Sequence, residues 1–331
     1  MLWIKAVCRH TQAPLFALGN NAHTREKMPH SVHVTLSETS LAGLFFIQRY
    51  RFLTTPQFAR VTGQHYSTAA SQLRQFAHTG ILGFFGNTRL AGNGKTPKAY
   101  YLTRKGYELL CEESEILPEV LGTYKEVKVE ARWAPQMYHR LATVDLLIAL
   151  EIAVRKRAHL AIGQTFLEYR RLKRGNQIIS ETMDYVDSQA TPENKIIPDA
   201  AFILENIQSK RRALFFLEVD MATERIISAS SLNRQTTLYR KFSQYDRYLK
   251  SSRYTQTYKE YGEFPSFTML FVTLNDTRIE NIRQELHSLS EDLSAFYRFT
   301  TFDVAIGDIL GAIWKSRSLT DTSVYPLVRE A

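Results

Sequence analysis

Apolar residues recur at helical spacing in Glu38–Leu53, where Leu41, Leu44 and Phe45 lead to Gln48 at the edge and then Phe52. TTPQFARVTG follows. Thr54 or Thr55 fits an N-cap, Pro56 suits the first helical position, and Gly63 supplies the stop. HYSTAASQLRQFAHTG predicts another helix, capped by Ser67, ended by Gly80, with Ala70, Leu73, Phe76 and Ala77 inward. Two short β-like runs, Ile81–Phe85 and Lys98–Leu102, flank a Gly/Asn-rich turn and predict a hairpin, and a helix over Thr103–Glu113 closes the unit. Three helices and a hairpin make the plan of a winged helix-turn-helix over residues 36–113.

Residues 114–135, with four acids against three bases, carry Pro118 and Pro135 and read as a linker. A long helix, Met137–His159, opens the second domain, residues 136–331. Strand-like runs follow at Ala161–Arg170, Ile196–Leu204, Ala213–Met221 and Phe267–Leu274, with helical patterns at Ser228–Lys250 and Arg278–Leu289. A last β-like run, Tyr297–Ile306, precedes a short C-terminal helix. The expected class is α+β, with an α/β layer arrangement in the second domain.

Charge sharpens this division. Residues 1–110 hold 13 Lys and Arg against 3 Asp and Glu, whereas the remainder holds 29 against 30. A basic segment joined to a neutral body points to a polyanion, most often nucleic acid. Cys8 and Cys111 offer neither a zinc-ligand spacing nor a disulfide framework, which fits a reducing cytoplasm. No apolar run approaches the roughly 18 residues of a membrane span. Residues 1–35 read as a flexible extension without a signal-peptide core, and Met28 offers an alternative start of translation.

The helix Ser67–His78 occupies the place of a recognition helix. Its outward residues are Thr68, Ser71, Gln72, Arg74 and Gln75, which suit phosphate oxygens or base edges. The hairpin adds Arg89, Lys95 and Lys98. An amphipathic helix has a polar face in any case, but between Glu38 and Glu108 there is no acidic residue at all. That one-sided charge favours DNA.

The second domain carries KIIPDAAFIL and then RRALFFLEVDMATER. Asp199 opens one strand. Glu218 and Asp220, two apart on the next, project from one sheet face. Carboxylates after so apolar a run need partners. Asp199, Glu218 and Asp220 are therefore candidate oxygen ligands for Mg²⁺ or Mn²⁺, an ion suited to phosphate chemistry. Lys241, Tyr245 and Tyr248 share a helix face, and Lys241 is placed to steady a phosphate oxygen or attacking water. The turn RRLKRGN contributes Arg170, Arg171, Lys173 and Arg174 as a DNA-backbone track. The plainer alternatives are ion pairs of the two acids with Arg225, Arg240 or Lys241, a turn-shaping role for Asp199, and core packing for the tyrosines.

The pattern PDA…FFLEVDMATER…K…Y behind YYLTRKG resembles the replication-relaxation family, which includes MOBC-type plasmid relaxases. LEVDMATE followed by KFSQY is the most specific part. The resemblance implies a restriction-endonuclease-like C-terminal domain of PD-(D/E)XK type and a role at plasmid or mobile-element origins. It implies that Asp199 is the first acid and Glu218 the second. Asp220 stands where the nuclease motif wants lysine, so Lys241 is the expected substitute; Glu151 or Asp145 are candidates for an upstream acid, and His139 for a core histidine. The histidine–hydrophobic–histidine relaxase type is excluded, since His30 and His33 do not form that motif. The resulting expectation is a metal-dependent relaxase that nicks origin DNA, with other mobilisation or replication proteins as further partners. A non-catalytic DNA-binding regulator with a degenerate nuclease fold is the alternative, and a ligand-sensing transcription factor ranks below both because it leaves the carboxylates unexplained.

Overall fold

The first helix, α1 (Glu38–Tyr50), begins where the Ser37 hydroxyl accepts from Ser40 N at 3.2 Å. It buries Leu41, Leu44, Phe46, Ile47 and Tyr50, while Phe45 is half-buried. β1 (Leu53–Thr54) leads directly into α2 (Thr55–Thr62). Thr54 caps α2, and its own amide donates to the Gln57 side chain at 2.9 Å. This reciprocal box satisfies two otherwise orphaned amides and contributes about 1 kcal/mol. Gly43 lets α1 and α2 approach closely: a Cβ there would lie 2.4 Å from the Phe58 ring. Gly63 ends α2 at φ 71°, a conformation costly for other residues.

In the computed structural model the described residues are 36–86, 89–90, 94–114, 121, 124–127, 135–174, 176–221 and 238–328. The chain divides into two compact units, Met1–Trp133 and Ala134–Ala331.

In the first unit, α3 (Tyr66–His78) starts two residues earlier than a Ser67 cap would place it. His65, not Ser67, is the N-cap; its ring accepts from Ser67 N at 3.4 Å. Ala69, Leu73 and Phe76 form the buried seam, with Ala70 and Ala77 only half-buried. β2 (Leu82–Phe85) follows. A small ribbon, β3 (Arg89–Leu90) and β4 (Gly94–Lys95), separates it from β5 (Ala99–Leu102). The sheet order is β1-β5-β2, all antiparallel. α4 (Arg104–Ser114) ends the regular part of this unit.

The second unit opens with α5 (Pro135–Arg155), followed by β6 (Leu160–Leu167). β7 (Arg171–Arg174) and β8 (Gln177–Ser180) form a separate hairpin, and β9 (Asp184–Tyr185) pairs with β10 (Lys195–Ile196). β11 (Ala200–Asn206) and β12 (Arg212–Val219) are the central strands. Then come α6 (Leu238–Ser251), α7 (Tyr254–Thr257), β13 (Phe267–Thr273), α8 (Asp276–Glu285), β14 (Tyr297–Thr301), α9 (Phe302–Asp308), β15 (Trp314–Lys315) and β16 (Val324–Tyr325).

Seven strands make one mixed sheet, ordered β16-β15-β14-β13-β12-β11-β6. β12, β13 and β14 run parallel, and the other pairings are antiparallel. Side chains alternate across a strand. Leu214 and Phe216 of β12 therefore share a face with Ala201 and Ile203, Phe267, Met269 and Phe271, and Tyr297 and Phe299. Phe242, Tyr245 and Tyr248 of α6 and Ile279 and Ile282 of α8 belong to the same core. The aromatic contacts there are dense: Phe216 lies 4.5 Å from Phe267 and 6.1 Å from Tyr248 between ring centroids. Such pairs each add about 0.5–1.5 kcal/mol beyond burial.

Two expectations fail near the C-terminus. The run Tyr297–Ile306 is not one strand but β14 followed at once by α9. Val304, Ala305 and Ile306 fit either period over so short a stretch. The final segment forms strands β15 and β16, with β16 at the sheet edge, rather than a helix, and Trp314 is fully buried. The helical pattern from Ser228 is described only from Leu238; residues 228–237 lie outside the described residues.

Candidate functional site

Asp199 ends the extended segment before β11, after Pro198. The β11–β12 register pairs Ala200 with Leu217, so one further step sets Asp199 opposite Glu218. The Asp199 carboxylate turns back onto the strand end, where Oδ2 accepts from Val219 N at 2.7 Å. Its Oδ1 meets His139 Nε2 of α5 at 2.8 Å. This hydrogen bond raises the His139 pKa above that of a free imidazole, and the charges of Asp199 and Glu218 add to the rise. Burial and Lys241 oppose it.

Glu218 lies within a strand covered on both faces, and its side chain is only 3% exposed. It shares the parity of Leu214 and Phe216, so it faces the α6 core. There the Lys241 ammonium lies 3.3 Å from Oε2, and the Tyr245 hydroxyl donates to Oε1 at 2.5 Å. Burial, then the Glu218 charge, pushes the Tyr245 phenol well above its ordinary value, so it stays a neutral donor. The i, i+4 spacing on α6 delivers both groups to one carboxylate. Tyr248, one turn on, instead donates to Asp184, which also accepts from Thr257 at 2.5 Å.

Asp220 has a different environment. Its carboxylate forms a two-point ion pair with Arg278 of α8, through Nε and through Nη2 at 3.0 Å, and accepts from Thr273 at 2.8 Å. The expectation of three carboxylates sharing one ion is corrected here. Asp220 has left β12, and α8 starts close enough to claim it. Among the described residues no group of three or more His, Cys, Asp or Glu is disposed to hold a metal. Asp199 and Glu218 remain, and their chemistry fits a hard ion that takes one or two carboxylates plus water and phosphate oxygens.

The upstream acids do not join this pair. His139 sits on α5 at the site, so Asp145 and Glu151 lie about 9 and 18 Å farther along the helix axis at 1.5 Å per residue. Glu151 is buried there.

The four cations of the turn separate. Arg170 pairs with Glu181 at 3.4 Å, and Arg171 donates to the Glu168 carbonyl at 3.1 Å while remaining exposed. Lys173 is exposed on β7. On α3, Thr68, Ser71, Arg74 and Gln75 are exposed. Gln72 is not part of that outer row: it is half-buried and its amide donates to Ser40 of α1. Lys98 lies over the Phe84 ring at 4.5 Å. Arg89, Lys95 and Arg174 fall on strand backbones, but their side chains lie outside the described residues.

The sequence profile described as Replication-relaxation matches residues 44–265, about two thirds of the chain. The chain belongs to the replication-relaxation family. Membership associates it with replication or mobilisation of plasmids or mobile elements. Comparison with curated proteins gives no significant match. Among the described residues no helix is long and apolar enough to cross a membrane.

In this replication-relaxation protein, sequence reasoning underrated His139 and Arg278. Each makes its key contact across a long stretch of chain, His139 with Asp199 and Arg278 with Asp220. Both had a signal of a kind: an ionisable residue in the first turns of a helix, where a neighbouring strand end comes within reach.

Proposed function

We propose that this protein binds origin DNA of a plasmid or mobile element and nicks one strand in its second unit with a divalent ion. The first unit is read as a winged helix: α3 is the recognition helix and β2–β5 the wing. The second unit is read as a restriction-endonuclease-like domain of PD-(D/E)XK type. The observation that carries the nuclease reading is the Lys241 ammonium on Glu218, beside Asp199 at the adjoining strand end. Lysine from the following helix thus stands in for the lysine that Asp220 displaces from the strand.

Asp199 and Glu218 would hold Mg²⁺ or Mn²⁺, which when bound supplies Lewis acidity and a more acidic water. His139 fixes the orientation of the Asp199 carboxylate. Tyr245 holds Glu218 in place as a neutral donor. Lys241, partly exposed, offers a positive charge to a phosphate oxygen in the transition state. Thr68, Ser71, Arg74 and Gln75 are the groups of α3 best placed to meet the duplex.

The test uses supercoiled plasmid carrying the cognate origin, incubated with Mg²⁺ or Mn²⁺. Conversion to the open circle by the wild type, and its loss in Asp199→Asn and Glu218→Gln with binding retained, is the expected result. Intact binding without nicking by the wild type would favour the regulator, in which His139, Lys241 and Tyr245 merely neutralise two inherited carboxylates.

A further inference from the structure

Ile178 on β8 is 77% exposed, more than any other large apolar side chain among the described residues. It is paired across the hairpin with Lys173. Strand parity puts Arg171, Lys173 and Ile178 on one face and Leu172 and Ile179 on the other. Arg171, Lys173 and Ile178 are exposed while Leu172 is half-buried and Ile179 buried, so the Ile178 face is the outer one; Ser180, of the same parity as Ile178, is buried at the root of the hairpin. The hairpin sequence Arg171–Ser180 contains three cations and no acid.

The ribbon is rooted beside Asp199. Glu168 N donates to the Asp199 carbonyl at 3.0 Å, and Glu181 N donates to the Arg170 carbonyl at 2.9 Å. The Ser180 hydroxyl donates to the Glu168 carbonyl at 2.6 Å, and the Thr182 hydroxyl to the Pro198 carbonyl at 2.7 Å. The base of the hairpin is thereby fixed to the segment that carries the first acid of the site.

An exposed β-branched side chain beside Arg171 and Lys173, on a hairpin that is a sheet of its own, gains nothing from water. Its surroundings match duplex DNA: phosphates for Arg171 and Lys173, and a base step for an apolar wedge. We infer that the β7–β8 hairpin is a strand-opening wedge, with Ile178 inserting into a base step near the bond to be cut and Lys173 gripping the adjacent phosphate. This rests on the DNA-nicking reading above and adds to it a means of exposing a single strand.

Permanganate reactivity of thymines on the supercoiled origin plasmid, in EDTA so that no cutting intervenes, reads the opening directly. Wild type should make thymines at the bound site hyper-reactive. Ile178→Ser should reduce that hyper-reactivity by roughly tenfold while changing affinity little, and Ile178→Phe, a larger wedge, should keep it. Lys173→Ala should lower affinity and reduce the salt slope by about one, with opening restored at saturating protein. Unchanged permanganate reactivity in Ile178→Ser would overturn the wedge. So would a change confined to self-association, seen by sedimentation, which would make Ile178 a contact between copies. Wild type that binds and nicks without hyper-reactive thymines removes the wedge alone, whereas wild type that does not bind the plasmid removes the DNA reading itself.

Discussion

Lys241 and Glu218, 23 residues apart in sequence, meet at 3.3 Å because the first turns of α6 pass over the end of β12. A carboxylate in that position is shielded from water and depends on the donors around it. The same lysine is close enough to solvent to meet a phosphate. Lys241→Met should therefore separate two effects. Nicking is expected to fall by about 100-fold or more, the scale of removing one positioned charge from a transition state. Urea denaturation should show a loss of about 1–3 kcal/mol from weakening the solvation of buried Glu218. DNA affinity by gel shift should hold. Nicking that survives in Lys241→Met would place the lysine in stability alone.

Asp220 and Arg278 form the neighbouring but different arrangement. Their pair is two-point, with Asp220 buried, Arg278 half-buried and Thr273 in support. Removing one partner of such a pair leaves an uncompensated charge and costs about 3–5 kcal/mol. Asp220→Ala should be strongly destabilised, and the double change Asp220→Leu with Arg278→Leu should recover much of the loss. In calorimetric titration with Mn²⁺, Asp220→Asn should bind as wild type does, whereas Asp199→Asn should not. Loss of Mn²⁺ binding in Asp220→Asn with unaltered stability would return Asp220 to the ligand set.

How far the sequence reached follows from the range of the interactions concerned. The helices of the first unit were legible because Thr54, Pro56 and Gly63 act within a few residues of themselves. The strand bearing Glu218 was legible because its apolar run is long and bounded, whereas the run Ile196–Leu204 breaks at Pro198 and Asp199 into β10 and β11, which belong to different sheets. The i, i+4 relation of Lys241 and Tyr245 was legible too, though not that both would converge on Glu218. What stayed hidden was set by distant chain. Asp220 looked equivalent to Glu218 until α8 brought Arg278 to it. Gln72 looked outward until Ser40 of α1 lay against it, and Arg170 looked available until Glu181 paired with it. Polar residues show their faces poorly in sequence, because a polar side chain is compatible with water, a buried partner or a ligand.

Three buried tyrosines should govern stability in alkali. Tyr245, Tyr248 and Tyr297 each donate to a carboxylate, Glu218, Asp184 and Asp246 in turn. Burial, followed by those negative charges, raises all three phenols well above their ordinary value of 10.0. The folded state holds protons that the unfolded chain releases, so the stabilisation is complete below about pH 10 and declines as pH rises through that value. Each tyrosine contributes a slope of about 1.4 kcal/mol per pH unit above it. Urea midpoints between pH 8 and 11 should fall steeply at the alkaline end, and less steeply in Tyr297→Phe. Tyrosinate absorbance from these residues should appear only with unfolding; a smooth titration of every tyrosine in the folded protein would contradict it.

On α3, burial alone separates residues that the sequence placed in one row. Arg74 is exposed, its Nε donating to the Ala70 carbonyl at 3.2 Å, which leaves the rest of the guanidinium directed outward. Gln72 spans to Ser40 and helps to hold α1 and α3 together. The two substitutions should thus act on different quantities. Arg74→Ala should weaken binding to origin DNA and leave the thermal midpoint in place. If Arg74 meets a phosphate, the loss is equal across sequences and the log–log salt slope drops by about one. If it reads a base, the loss is about 1–3 kcal/mol on the cognate site and small on random duplex. Gln72→Ala should lower the thermal midpoint and affect DNA affinity only in proportion to the folded fraction. Fluorescence anisotropy against salt, on cognate and random duplexes, tells these outcomes apart; a Gln72→Ala protein of full stability with lost affinity would put that side chain back on the reading face.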